Sequence, residues 1–318
     1  MEQEQTPERR RRPLREYIKL FFCGAIMGAA DVVPGVSGGT MAFILGIYNE
    51  LLDSIREFLS PRTVKMVLKF RVGEMYRTLP WPFLLALALG ILGAIVLFAT
   101  PIKWMLENRL VLILSFFFGL VLGSAATVLR QVEKWDAWRI AALILGAAAG
   151  FLIVGLPVLA SPPAGKWYLV LCGAVAICAM ILPGISGSFI LLLMGRYDYV
   201  LNAVHEIKTR TNLSANLLTR ALFCCGIVVG IAFFVRLLSW LLKKYHDLTV
   251  AVLIGFMLGS LRKVWPWKAN DVLNNANVMP AFDSGLLTAI GLVLAGFFLV
   301  LVIEFAARKI ESRQQEKC

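Results

Sequence analysis

Residues 30–55 read ADVVPGVSGGTMAFILGIYNELLDSI, and residues 179–204 read AMILPGISGSFILLLMGRYDYVLNAV. At a constant offset of 149 the two stretches share Ala, Pro, Gly, Ser, Gly, Gly and Tyr. The common core is PG[VI]SG, and a Gly-x-Tyr begins nine residues after the serine. Downstream the match resumes at an offset of 136: Gly90 with Gly226, Trp104 with Trp240, and GLVLGS (119–124) with GFMLGS (255–260). The stretch at about 56–79 is longer than its counterpart at about 205–219 and absorbs the difference. A short motif recurs by chance easily; a motif with a downstream helix pair in the same order does not. The chain reads as two copies of one unit, a motif region followed by three apolar helices.

The composition places this unit in a membrane. Of 318 residues, 59% are hydrophobic and 16% charged, against about 25% charged in an ordinary soluble domain. A spanning helix needs roughly 20 apolar residues to cross a hydrocarbon core about 30 Å thick. Apolar runs lie at about 80–102, 109–129, 138–160, 167–182, 220–242, 247–261 and 286–307. Two more stretches, about 17–33 and 184–204, are interrupted by Pro, Gly and polar residues. The net charge of +12 does not point to nucleic acid, because the basic residues sit in tails and short loops with no soluble domain behind them. They fit the positive-inside rule and attraction to anionic membrane lipids. Cys23, Cys172, Cys178, Cys224, Cys225 and Cys318 have no metal-ligand spacing beside a histidine and read as small packing residues. No metal or other cofactor is expected, and no residue pattern specifies an oligomer. The basic and then apolar N-terminus imitates a signal peptide but lacks a small-x-small cleavage site, and reads as a retained cytoplasmic tail.

Each motif region either crosses the membrane once or enters and returns as a re-entrant hairpin. With two hairpins, 21 Lys and Arg fall inside and nine outside, with Arg196 and Arg236 left within apolar segments. With two single crossings the sides hold 15 each and the bias vanishes. The charge rule therefore favours hairpins. The predicted architecture is an all-α integral membrane protein of two inverted repeats, each a re-entrant helical hairpin plus three transmembrane helices, with both termini cytoplasmic. Residues 1–16 form a basic tail. Repeat 1 covers 17–160, with its hairpin at 17–55 and spans at about 80–102, 109–129 and 138–160. Repeat 2 covers 161–309, with its hairpin at 167–204 and spans at about 220–242, 247–261 and 286–307. A short tail, 310–318, follows. Three spans per repeat, an odd number, invert the second copy against the first, as in many transporters.

Broken helices at membrane depth expose backbone groups that only protein or a water-filled cavity can satisfy. Pro34 and Pro183 end the incoming half-helix, the motif glycines permit tight turns, and Ser37 and Ser186 are natural N-caps for the outgoing one. A helix N-terminus offers free N–H groups and a positive dipole end, which suits phosphate. The candidate phosphate-binding residues are Gly35, Ser37, Gly38, Gly39, Thr40, Gly184, Ser186, Gly187, Ser188 and Arg196. The alternative is a turn that serves packing alone. Asp31, matched by Met180, is the candidate for proton or cation coupling; a hydrogen bond closing the hairpin is its other reading. Arg196 either reaches a phosphate or pairs with Asp198. Tyr48 and Tyr197 read as interfacial aromatics. Glu50 and Asp53 read as residues that cap or solvate the hairpin exit, and 56–79 as an amphipathic segment on the inner leaflet.

The paired motifs ADVVPGVSGGTMAFILGIY and MILPGISGSFILLLMGRY resemble the signatures of the PopT-type polyprenyl-phosphate transporters, over about residues 15–310. The resemblance implies translocation of undecaprenyl phosphate, the lipid carrier of cell-envelope sugars, across the bacterial inner membrane, with the phosphate head returned to the cytoplasmic face. The family's motif residues fall on Asp31, Pro34, Gly35, Ser37, Gly38, Gly39 and Thr40, and on Pro183, Gly184, Ser186, Gly187 and Ser188. The second copy departs at Met180, Ser188 and Phe189, so the halves are not expected to be equivalent. An undecaprenyl-diphosphate phosphatase would carry PG-x-S-R-S-G and paired glutamates; here Gly38 and Gly187 stand at the arginine place and no Glu-x-x-x-Glu lies beside either motif. A small-anion channel and a structural scaffold are the remaining rivals.

Overall fold

The computed structural model describes residues 12–32, 37–71, 73, 75, 78–163, 165–200, 213–269, 276–280, 282 and 284–315. The described residues are almost entirely helical. In chain order the helices are α1 (Leu14–Asp31), α2 (Gly38–Ile44), α3 (Tyr48–Phe58), α4 (Pro61–Leu68), α5 (Trp81–Asn108), α6 (Leu110–Leu129), α7 (Ala137–Val154), α8 (Lys166–Ile181), α9 (Gly187–Leu193), α10 (Leu213–Lys244), α11 (His246–Ser260) and α12 (Ser284–Gln315). The only β pairing among the described residues is an isolated antiparallel bridge between Lys268 and Asn277.

Among the described residues, five helices are long and apolar enough to cross a membrane: α5, α6, α7, and the stretches Leu217–Lys244 of α10 and Gly285–Phe305 of α12. Six spans were expected. The sixth, at 247–261, is α11, whose 15 residues reach only about 22 Å at 1.5 Å per residue. Its surroundings explain the shortness. Val250, Ala251 and Ile254 are fully enclosed, and α11 packs against α6, α7 and α10. A helix sheathed in protein has no need to match the hydrocarbon thickness. α7 stops at Val154 rather than near 160, because Pro157 brings no N–H to continue the helix. The chain then runs past the end of α9, where the Leu159 N–H donates to Leu193 O at 2.8 Å. In the 56–79 stretch the named helix, α4, covers only Pro61–Leu68.

The helices associate in pairs: α1 with α5, α8 with α10, α6 with α12, and α7 with α11. Lipid gives apolar helices no hydrophobic reason to associate, so close backbone approach through small residues holds them together. Gly24 faces the Leu87 backbone and Gly90 that of Phe21; Gly173 faces Phe223 and Gly226 faces Val170. Gly119 faces Val293 and Gly296 faces Phe116; Gly255 faces Leu143 and Gly146 faces Val252. A methyl group at any of these eight positions would collide with main chain. Each of these four glycine contacts in one copy has a counterpart in the other. The inner helices are α6 and α11, which carry the matched GLVLGS and GFMLGS segments.

Candidate functional site

Both motif regions follow one local plan: a long helix, a break, and a seven-residue helix packed back against it. Each short helix ends at a glycine in the left-handed region, Gly46 at φ +72 and Gly195 at φ +64. This conformation is the usual C-terminal stop, and it accounts for the shared Gly-x-Tyr. Gly184 is left-handed as well, at φ +96, and its Cα faces Met257 and Ser260 of α11. Pro34 and Gly35 lie outside the described residues.

The two breaks meet. Ser37 caps α2, its Oγ accepting from Gly39 N at 3.1 Å. The same hydroxyl faces Met180 O and Leu182 O, each at 3.3 Å, on the far side of the sequence. The Gly184 N–H donates to Thr40 Oγ1 at 2.9 Å, and the Tyr48 hydroxyl donates to Ile181 O at 3.0 Å. The carbonyls released where α8 ends, and the first amide of the second motif's turn, are therefore satisfied by side chains of the first motif. Gly39 has no room for a side chain because Ile181 O would lie 2.8 Å from its Cβ. Tyr48 is consequently 3% exposed rather than interfacial, since its hydroxyl closes this junction.

The copies differ in how their short helices begin. In the first, Asp31 Oδ1 accepts from Gly38 N at 2.6 Å, so a carboxylate holds the leading amide of α2. Ser37 and Thr40 are sealed, at 1% and 0% exposure. In the second, Met180 stands in place of Asp31 and packs beside Gly187. Ser186 makes no cap; its hydroxyl meets that of Ser188 at 2.6 Å. Arg196 is placed elsewhere, beyond the far end of α9. It donates to Pro163 O at 2.6 Å and lies between the rings of Tyr168 and Tyr199, with no ion pair to Asp198. The structure thus gathers Asp31, Ser37, Gly38, Gly39, Thr40 and Gly184 in one junction, brings Ser186, Gly187 and Ser188 onto its second short helix, and leaves Arg196 apart.

Glu50 and Asp53 are tethers. Arg12 pairs with Glu50 at 2.7 Å and Lys243 with Asp53 at 3.0 Å, which draws the start of α1, α3 and the end of α10 to one end of the molecule. Sequence reasoning did not single out Ser260, although the repeated Leu-Gly-Ser of α6 and α11 marks it. Its hydroxyl bonds back to Met257 O at 2.7 Å directly beside Gly184. The junction offers amides, hydroxyls and one carboxylate.

Fold and junction together define a multi-pass helical membrane protein built around two joined helix breaks. A family model described as undecaprenyl phosphate translocase-like matches residues 27–280. The chain is 41% identical over 311 residues to a polyprenyl-phosphate transporter of Vibrio cholerae, covering 92% of this chain and 98% of that one. It is 27% identical over 264 residues to a polyprenyl-phosphate transporter of Staphylococcus aureus, covering 79% and 87%. No solved structure matches it. The chain belongs to the undecaprenyl phosphate translocase-like family.

Proposed function

We propose that this protein translocates polyprenyl phosphate, with undecaprenyl phosphate as its substrate in the bacterial inner membrane, and returns the phosphate head to the cytoplasmic face. In this reading the halves are inverted repeats, α1/α2 and α8/α9 are re-entrant hairpins, and both termini are cytoplasmic. The pairing of Arg12 and Lys243 with acids at one end supports that orientation, since both belong to blocks that the charge rule puts inside. The kinship to named polyprenyl-phosphate transporters supports the substrate.

The single observation that carries the mechanism is the Asp31 carboxylate on the Gly38 amide. It is an internal anion in the place where a phosphate would bind. A charged head cannot cross an apolar core unassisted, and donors that stay fixed while the anion moves lower the barrier. The head group is received by the Ser186 and Ser188 hydroxyls, then displaces Asp31 from Gly38. Asp31 takes up a proton on losing that bond, which couples passage of the lipid to a proton. The prenyl tail remains in lipid, and no phosphoester bond is broken.

The test uses sealed proteoliposomes carrying labelled undecaprenyl phosphate. Wild type is expected to exchange the lipid between leaflets and release no inorganic phosphate. Ser37→Ala/Ser186→Ala should stall, and Asp31→Asn should exchange without dependence on a proton gradient. Phosphate release would make the protein a phosphatase. Lipid that stays in place while chloride leaks would make it a channel.

A further inference from the structure

The loop after α11 carries a feature that the translocation mechanism does not use. Arg262, Lys263 and Lys268 lie together there, and among the described residues none forms an ion pair with a carboxylate. The cluster is built rather than loose. Lys268 Nζ donates to Asn277 Oδ1 at 2.6 Å and faces Arg262 O at 3.3 Å, and Asn277 Nδ2 donates to Arg262 O at 2.9 Å. Two further backbone bonds, Ala269 N to Ala276 O and Val278 N to Trp267 O, tie the two arms of the loop. The Arg262 guanidinium lies 4.3 Å from the Phe151 ring centroid, and the Lys263 ammonium 4.3 Å from that of Phe189. Phe189 follows Ser188, so Lys263 sits against the second motif. Trp265 and Trp267 line the same loop, and such rings favour the membrane interface.

The start of α7, which follows the matching helix α6, is organised in the opposite way. There Arg139 is bound by Asp136 at 2.7 Å and by Asp247 at 3.2 Å, so its charge is balanced. The loop after α11 instead holds like charges together. Burial, with the charges of Lys263 and Arg262, pushes the Lys268 ammonium down to about 8. Burial also pushes Lys263 down. Like charges held together in this way favour a bound anion.

We propose that Arg262, Lys263 and Lys268 form a capture site for the phosphate-monoester head of a membrane lipid, at the end of the molecule away from Lys243 and Lys244, and pass that head to the Ser186–Ser188 motif. The site rests on the translocation reading for its onward step, but not for binding itself. Lys263 is the contact to the motif, Arg262 and Lys268 supply the remaining charge, and Trp265 and Trp267 hold the loop at the level of lipid heads.

The experiment measures binding of farnesyl phosphate to the full chain in nanodiscs of neutral phosphatidylcholine, and separately the leaflet exchange described above. Each basic residue at a lipid surface is worth roughly a factor of five in affinity. Arg262→Gln/Lys263→Gln/Lys268→Gln is therefore expected to weaken binding by at least about ten-fold and to flatten its salt dependence. Lys263→Arg should retain binding, as should Arg130→Gln at the matching end of α6. Ser37→Ala/Ser186→Ala should fail in exchange while the salt-dependent share of farnesyl phosphate binding that the cluster supplies persists, which separates capture from passage. Unchanged affinity in a triple variant that melts like wild type overturns the site. Equal competition by inorganic phosphate, or by vesicles of phosphatidylglycerol, overturns its assignment to a lipid phosphate monoester. Binding that depends on the cluster without any leaflet exchange upholds the site and removes the translocation reading instead.

Discussion

The two PG[VI]SG copies share a backbone plan but close their short helices differently. The first is finished internally. Asp31 and Ser37 occupy the leading amides of α2, and Thr40 reaches across to Gly184. The second lacks an acid, and its two serines bond to each other rather than to the backbone. One copy therefore has its leading amides satisfied by its own side chains, while the other has two hydroxyls that bond to each other. A duplicated unit whose copies remained equivalent would have two closed helix starts or two open ones. Met180, Ser188 and Phe189 stand where the first copy has Asp31, Gly39 and Thr40, the residues that make or allow its closed helix start.

The strongest way to break this comparison is at Gly184. Alanine there meets a left-handed φ of +96 and the Met257 backbone at 3.0 Å. A residue forced into such a conformation costs about 1–3 kcal/mol before any collision is counted. Gly184→Ala should lower the thermal unfolding midpoint in detergent more than any other change in the motif, and abolish leaflet exchange. Next is Thr40→Val, which keeps the shape but removes the acceptor for Gly184 N–H. Leaving that buried donor unmet is expected to cost about 1–3 kcal/mol. Thr40→Ser should recover most of the loss in the same melt.

The serines sharpen the contrast. Ser37→Ala removes a helix cap and should cost about 1 kcal/mol. Ser186→Ala removes no cap, and its effect on the melt should stay within about 0.5 kcal/mol. If the second motif receives the head group, Ser186→Ala nonetheless slows exchange by more than its stability change explains. Equal melts for Ser37→Ala and Ser186→Ala would remove the distinction between the copies. The smallest expected stability change is Met180→Asp, which offers the second copy the carboxylate it lacks. It should leave the melt near wild type and slow exchange by filling the open site. Faster exchange in that variant would argue against Asp31 acting as a stand-in for phosphate.

Much of this was legible in the residues because it depends on local pattern. Hydropathy located five of the six expected spans, and the 136 offset located Gly90, Gly226, Gly119 and Gly255 among the glycines that seat the helix pairs. The serine cap of α2 followed from Ser37 standing before Gly38 and Gly39. The length of α11 was not legible, because a run of apolar residues reads the same whether lipid or protein surrounds it. Tyr48 failed for a related reason. An aromatic near a helix end is usually interfacial, and only the nearby end of α8 turns it inward.

By itself the sequence determined the solvent, the duplication and the chemistry available at each break, since these follow from residue type and spacing along one chain. The tertiary structure alone decided which groups meet. The bonds from Ser37 and Tyr48 to residues 180–182, and from Gly184 to Thr40, join positions 133 to 145 residues apart. The gathering of Arg262, Lys263 and Lys268 against Phe189 likewise depends on how α9 is laid beside the end of α11. Hydropathy and capping act within a turn or two of helix. Partner choice across a bundle is set by which glycine faces allow two backbones to approach, and that choice placed the closed and open motifs side by side.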